Sequence, residues 1–165
     1  MDNQIECLAV ELGRCLQASG QVLATAESCT GGWIAKAITD IPGSSGWLDR
    51  GFVTYSDASK QDMLGVDPQS LAEHGAVSET VAQEMALGAL ARSNAQVSVA
   101  VSGIAGPSGG SEAKPVGTVC IALACRGRSD MLTWTCHFDG DRDAVRRQTV
   151  VFALEQLIAL VADGD

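Results

Sequence analysis

The chain has 165 residues, 46% of them hydrophobic and 4% aromatic, with a formal net charge of −9. That length fits one domain, residues 1–165, with a core of small aliphatic side chains. The acidic balance argues against a nucleic-acid binder, which would present a basic face. The start, Met1-Asp2-Asn3-Gln4-Ile5-Glu6, lacks signal-peptide character, and no run approaches the ~20 apolar residues of a membrane span. A cytoplasmic protein without membrane contact is expected.

Taken in chain order, residues 4–18 predict an amphipathic helix with Ile5, Leu8, Ala9, Leu12 and Leu16 on one face, ended by Gly20. A strand over 21–26 and a helix over 31–40 follow, the latter stopped by Ile41-Pro42-Gly43. Residues 47–55 predict a strand ending at Tyr55, then a short helix over 57–64 stopped by Gly65. Pro68 opens another short helix running to His74-Gly75. Ser78 is placed to cap a long helix to about Ser93, with Val81, Met85 and Ala89 as its stripe. The run Val97-Ser98-Val99-Ala100-Val101 predicts a strand near the sheet centre. After a Gly-, Ser- and Pro-rich segment over 102–117, strands over 118–124 and 131–138 are joined at Arg126-Gly127-Arg128. A helix from about Asp141 to Ala162 closes the chain, with Val150, Leu154, Leu157, Ile158 and Val161 buried. The fold class is α/β: a three-layer α/β/α domain with a mixed sheet.

The six cysteines, Cys7, Cys15, Cys29, Cys120, Cys125 and Cys136, include no CxxC pair, and the chain has two histidines. Neither a zinc site nor a disulfide framework is expected. Cys120 reads as a small core residue within a strand.

Three segments can carry chemistry. The first is Ala26-Glu27-Ser28-Cys29-Thr30-Gly31-Gly32-Trp33, a strand turning sharply into a helix. Free amides at a helix N-terminus can hold an oxyanion or a phosphate, and glycines admit close approach. Ser28 is then either a nucleophile or, with Thr30, a helix cap. Cys29 is the lesser candidate nucleophile, at a position where a thiol pKa is expected to fall. A serine nucleophile needs a base. Of three lysines, Lys60 follows a predicted strand end within Tyr55-Ser56-Asp57-Ala58-Ser59-Lys60. Burial would bring its pKa toward neutrality, and Tyr55, the sole tyrosine, could relay the proton or orient the amine. The alternatives are a solvated surface lysine, or His74 or His137 as base.

The second segment, Ser102-Gly103-Ile104-Ala105-Gly106-Pro107-Ser108-Gly109-Gly110-Ser111, matches no dinucleotide or Walker spacing. It reads as a backbone nest for an anion or as a connector. In the third, Arg142, Arg146 and Arg147 crowd the first two turns of a helix, where the dipole disfavours cations. A bound anion would justify them. Asp139, Asp141 and Asp143 could instead neutralise them or bind Mg²⁺, with Asp141 preferred as a cap.

Several motifs together resemble the CinA C-terminal domain family: Ala-Glu-Ser-Cys-Thr-Gly-Gly (26–32), Gly-Phe-Val-Thr-Tyr-Ser-Asp-Ala-Ser-Lys (51–60), His-Gly-Ala-Val-Ser-Glu (74–79), Ser-Gly-Ile-Ala-Gly-Pro-Ser-Gly-Gly (102–110), Lys-Pro-Val-Gly-Thr-Val (114–119) and Gly-Asp-Arg-Asp-Ala-Val-Arg (140–146). The resemblance spans about residues 20–155 and is nearest to the stand-alone nicotinamide-nucleotide amidohydrolases of that family. It implies hydrolysis of nicotinamide mononucleotide (NMN) to nicotinate mononucleotide and ammonia, with no cofactor and no metal. Ser28 would be the nucleophile and Lys60 the base, with Tyr55 assisting. Amides near Thr30, Gly31 and Gly32 would hold the oxyanion. Ser102, Gly103, Gly106, Gly109, Gly110 and Arg142 would bind the substrate and its phosphate. A homo-oligomer is also implied, with the Ala-rich helix at 78–93 as a possible contact. The competing reading is a non-catalytic nucleotide sensor or partner-binding module.

Overall fold

Strands β1 (Leu23–Glu27), β2 (Leu48–Val53), β3 (Val97–Gly103), β4 (Thr118–Cys125) and β5 (Leu132–His137) form one sheet in the order β2-β1-β3-β4-β5. The computed structural model describes residues 2–164. β1 runs parallel to β2 and β3, while β4 and β5 continue antiparallel, so the sheet is mixed as expected. The valine-rich β3 lies at its centre.

The described residues form six α-helices around the sheet: α1 (Asn3–Ser19), α2 (Trp33–Thr39), α3 (Asp57–Leu64), α4 (Pro68–His74), α5 (Glu79–Ala91) and α6 (Arg142–Ala162), with α3 and α4 packed on α5. Side chains alternate across a strand, and β3 shows what that does here. Val97, Val99 and Val101 join a core with Leu12 and Leu16 of α1 and Val150, Leu154 and Leu157 of α6. Ala100, with Ala24, Ala26, Ala122 and Ala124, faces Val81, Ala82, Met85, Ala86 and Ala89 of α5. The alanine face lets α5 lie close to the sheet. Gly88 lets α3 approach equally closely: a Cβ there would stand 2.0 Å from the Leu64 carbonyl oxygen. The alanine stripe that suggested a contact between copies is therefore buried inside the chain.

The caps follow the sequence. Asp2, Ser56, Asp67, Ser78 and Asp141 each accept from an amide in the first turn of the helix they precede. The elements depart from expectation at their ends. α2 begins at Trp33 rather than 31, because Gly31 and Gly32 sit at φ +60° and +100°. β2 stops at Val53, so Tyr55 lies beyond the strand. A short 3-10 turn, Ser44–Gly46, brings Trp47 over α1, where a Cβ on Gly13 would meet its ring at 2.8 Å.

Candidate active site

The chain leaves β1 for one neighbour, β2, and later returns to the other side of β1 as β3. A crevice forms beyond the carboxyl ends of strands at such a reversal. Here a cavity of about 240 Å³ opens there, and the segments after β1, β2 and β3 all reach it. They contribute Ser28 and Cys29, then Tyr55, Asp57 and Lys60, then Ser102 to Gly106 with Ser108 and Gly109; Arg142 of α6 completes the wall.

Ser28 is held where β1 ends, its N–H donating to the Val101 carbonyl at 3.0 Å. Lys60 comes from α3, whose first turn is fixed by a capping box between Ser56 and Ser59. Its side chain turns inward and is 1% exposed. The Nζ donates to the Thr54 carbonyl at 2.8 Å and lies 3.0 Å from Ser28 Oγ. Burial lowers the pKa of this amine, while the Asp57 carboxylate partly opposes the shift. The surface-lysine alternative is overturned. His74 and His137, the alternative bases, do not line this cavity; His74 is exposed on α4 and His137 Nδ1 lies 3.4 Å from Thr118 Oγ1.

The turn after Ser28 differs from expectation. Neither Ser28 nor Thr30 caps α2. Glu27, fully buried at the end of β1, accepts from Thr30 Oγ1 (2.6 Å), Ile34 N–H (2.8 Å) and Ala35 N–H (3.0 Å). Burial raises its pKa; these donors, with the Gly32 amide, favour its charged form. The Gly31 N–H is also engaged, donating to the Ser28 carbonyl at 3.0 Å. Of the three amides expected at an oxyanion, that of Gly31 is on a backbone carbonyl and that of Gly32 on the Glu27 carboxylate, while that of Thr30 has no backbone acceptor among the described residues. Thr30, Gly31 and Gly32 instead line a second cavity, of about 480 Å³, behind the turn. Cys29 corrects a further expectation: burial pushes its thiol up to about 12, so it is no activated nucleophile.

The glycine-rich segment forms a wall of the Ser28 cavity. Gly103, Gly106 and Gly109 line it; Gly110 does not, packing against the backbone at Val116. Ser102 reaches the wall with its hydroxyl already donating to the Ala76 carbonyl at 2.8 Å. The amides of Ser108 and Gly109 have no backbone acceptor among the described residues.

The three arginines do not form a cluster. Arg142 donates to the Gly106 carbonyl (2.7 Å) and to the Tyr55 hydroxyl (2.9 Å) across the cavity mouth. Arg146 faces the second cavity, and Arg147 pairs with Asp2 and Gln4. Their crowding is thus resolved by partners elsewhere in the chain, not by a local aspartate net. Tyr55 is 61% exposed, and its hydroxyl meets Arg142 rather than Lys60, leaving the expected relay without a hydrogen bond. Asp141 is the α6 cap, and no group of three acidic, His or Cys side chains among the described residues is placed to hold a metal ion.

A sequence profile described as the CinA C-terminal domain matches residues 5–161. The chain belongs to the CinA C-terminal domain family. "Nicotinamide-nucleotide amidohydrolase PncC" of Shigella flexneri is 56% identical over 156 residues, 94% of each chain. The Pseudomonas putida protein of that name is 52% identical, covering 94% of this chain and 96% of its own. A "putative competence-damage inducible protein" of Symbiobacterium thermophilum is 56% identical over 90% of this chain but only 37% of its own length. Among solved structures, competence/damage inducible protein CihA from Agrobacterium tumefaciens superposes with a TM-score of 0.93 at 49% identity, over 97% of each chain.

Three further members of the constellation were not read from the sequence. Glu27 stood inside a quoted motif, but a carboxylate in a strand gives no sign of facing a helix end. The Thr54 carbonyl is invisible to side-chain reasoning. Asp57 carries no signal of its own in the sequence beyond its place in the segment that contains Lys60.

Proposed function

We propose that this member of the CinA C-terminal domain family is a nicotinamide-nucleotide amidohydrolase that converts NMN and water to nicotinate mononucleotide and ammonia. The observation that carries the reading is the buried Lys60 amine 3.0 Å from Ser28 Oγ. The names of full-length relatives at 52–56% identity supply the substrate class.

Neutral Lys60 takes the Ser28 proton as Oγ attacks the carboxamide carbon, while the Thr54 carbonyl keeps the amine aimed. The oxyanion forms against the unengaged Thr30 amide. The Lys60 ammonium then protonates the departing nitrogen, the C–N bond breaks and ammonia leaves. Water attacks the resulting ester, giving a proton to Lys60; the acyl C–Oγ bond breaks, Lys60 returns that proton to Ser28 Oγ, and the acid product loses its own proton to solvent as the carboxylate. The Ser108 and Gly109 amides and Arg142 hold the phosphate, with Tyr55 over the mouth.

Ammonia release from NMN by purified protein in EDTA, with Ser28→Ala alongside, tests this. Release by the wild type alone is expected. No release by a folded wild type that still binds NMN would replace the enzyme with a nucleotide sensor.

A further inference from the structure

Arg146 occupies a position that the proposed reaction does not use. It lines the 480 Å³ cavity behind the nucleophile turn and not the Ser28 cavity. Its Nε donates to the Cys29 carbonyl at 3.1 Å and its Nη2 to the Thr30 carbonyl at 3.2 Å. The guanidinium is braced by the Trp33 ring, 5.5 Å from the centroid. One planar group thus grips two successive carbonyls directly after the nucleophile, a fork geometry that lysine cannot reproduce.

A trans peptide is planar, so its C=O and N–H point in opposite directions. With the Cys29 carbonyl drawn to Arg146, the Thr30 N–H of the same peptide is turned away from Arg146. Likewise, the Thr30 carbonyl on Arg146 turns the Gly31 N–H away, and that amide is found on the Ser28 carbonyl. Gly31 and Gly32, both at positive φ, give this short segment freedom to adopt other peptide orientations. Glu27 fixes the far side of the turn through Thr30 Oγ1 and the α2 amides.

We infer that Arg146 is a positioning residue: from outside the substrate cavity it sets the orientation of the Cys29–Thr30 peptide, and so aims the Thr30 amide, which has no backbone acceptor among the described residues, at the developing oxyanion. The inference rests on the reading of Ser28 as nucleophile. It predicts an effect on the transition state and none on substrate binding.

The test is steady-state ammonia release from NMN by Arg146→Ala and Arg146→Lys, with circular dichroism and Tm on each. The expected result for Arg146→Ala is a kcat lower by about 10- to 100-fold with KM within twofold of wild type. Low-millimolar guanidinium should restore part of that loss. Arg146→Lys, able to reach one carbonyl, should fall between. Wild-type kcat in Arg146→Ala, a rise in KM at unchanged kcat, or a folded variant that guanidinium does not rescue would each overturn the inference. If Arg146→Ala fails to fold, Arg146→Lys decides, and wild-type kcat there overturns it. Ser28→Ala in parallel separates the two readings: full activity there removes the nucleophile itself, whereas an inactive Ser28→Ala beside a fully active Arg146→Ala removes only the role given to Arg146.

Discussion

Arg142 and Arg146 leave the same helix four residues apart, yet they lie on opposite sides of the turn after Ser28. Arg142 spans the mouth of the Ser28 cavity, joining the Gly106 carbonyl to Tyr55. Arg146 lies in the larger cavity behind the turn and holds the Cys29 and Thr30 carbonyls. Spacing on a helix says which side chains share a face. It does not say which loop each will meet, because α6 points its N-terminal turns at segments that lie between 36 and 117 residues earlier in the chain. On the proposed reaction, one arginine serves the substrate and the other the backbone beside Ser28.

Both roles presuppose the pair at the centre, and breaking it should have the largest effect. Ser28→Ala is expected to lower kcat by about 10⁴-fold or more with the fold intact, read as ammonia release. Lys60→Met, matched in volume and unable to carry a proton, should cost about 10²- to 10⁴-fold. The two arginines then separate by kinetic parameter. Arg142→Gln should raise KM for NMN by about 10- to 100-fold, the worth of a charged hydrogen bond. Arg146→Ala should act on kcat.

A pH series sharpens the same contrast. The folded-state pKa of Lys60 is depressed, so between that value and its unfolded 10.5 the unfolded chain binds the extra proton. Stability contributed by this site therefore rises with pH across that window, whereas kcat/KM rises as pH passes through the folded value, where the amine becomes neutral, and then levels off. A kcat/KM that falls as pH rises through the folded value would exclude neutral Lys60 as base. Glu27 has the opposite sign: its pKa is raised above 4.5, so its contribution to stability falls as pH climbs from 4.5 through the folded value. The smallest effect is expected from Trp33→Leu, which removes the ring beneath Arg146. A loss in kcat of less than about fivefold follows from a contact worth roughly 0.5–1 kcal/mol.

Much of this was legible in the sequence. The valine-rich run at 97–101, the caps at Ser78 and Asp141, and the stop at Gly65 each reflect local physics, and each recurs in the fold. Ser28, Lys60 and the 102–109 wall were also legible, since strand ends in α/β sheets converge on one crevice. The occupancy of each donor and acceptor was not. The helix N-terminus that invited an oxyanion is closed by Glu27, and the tyrosine expected on the lysine is on an arginine. Such pairings depend on long-range contacts that residue type and spacing do not encode.

The hydrogen atom that serves as the side chain of Gly88 has a bearing on the amine beside Ser28. Gly88 of α5 lets the Leu64 end of α3 settle against it, and Lys60 stands one turn earlier on α3. The height of that short helix above the sheet is therefore gauged by a missing methyl group on a neighbouring helix. A single added carbon there would lift α3 outward and draw the amine away from Ser28, a change made on a helix that does not border that cavity.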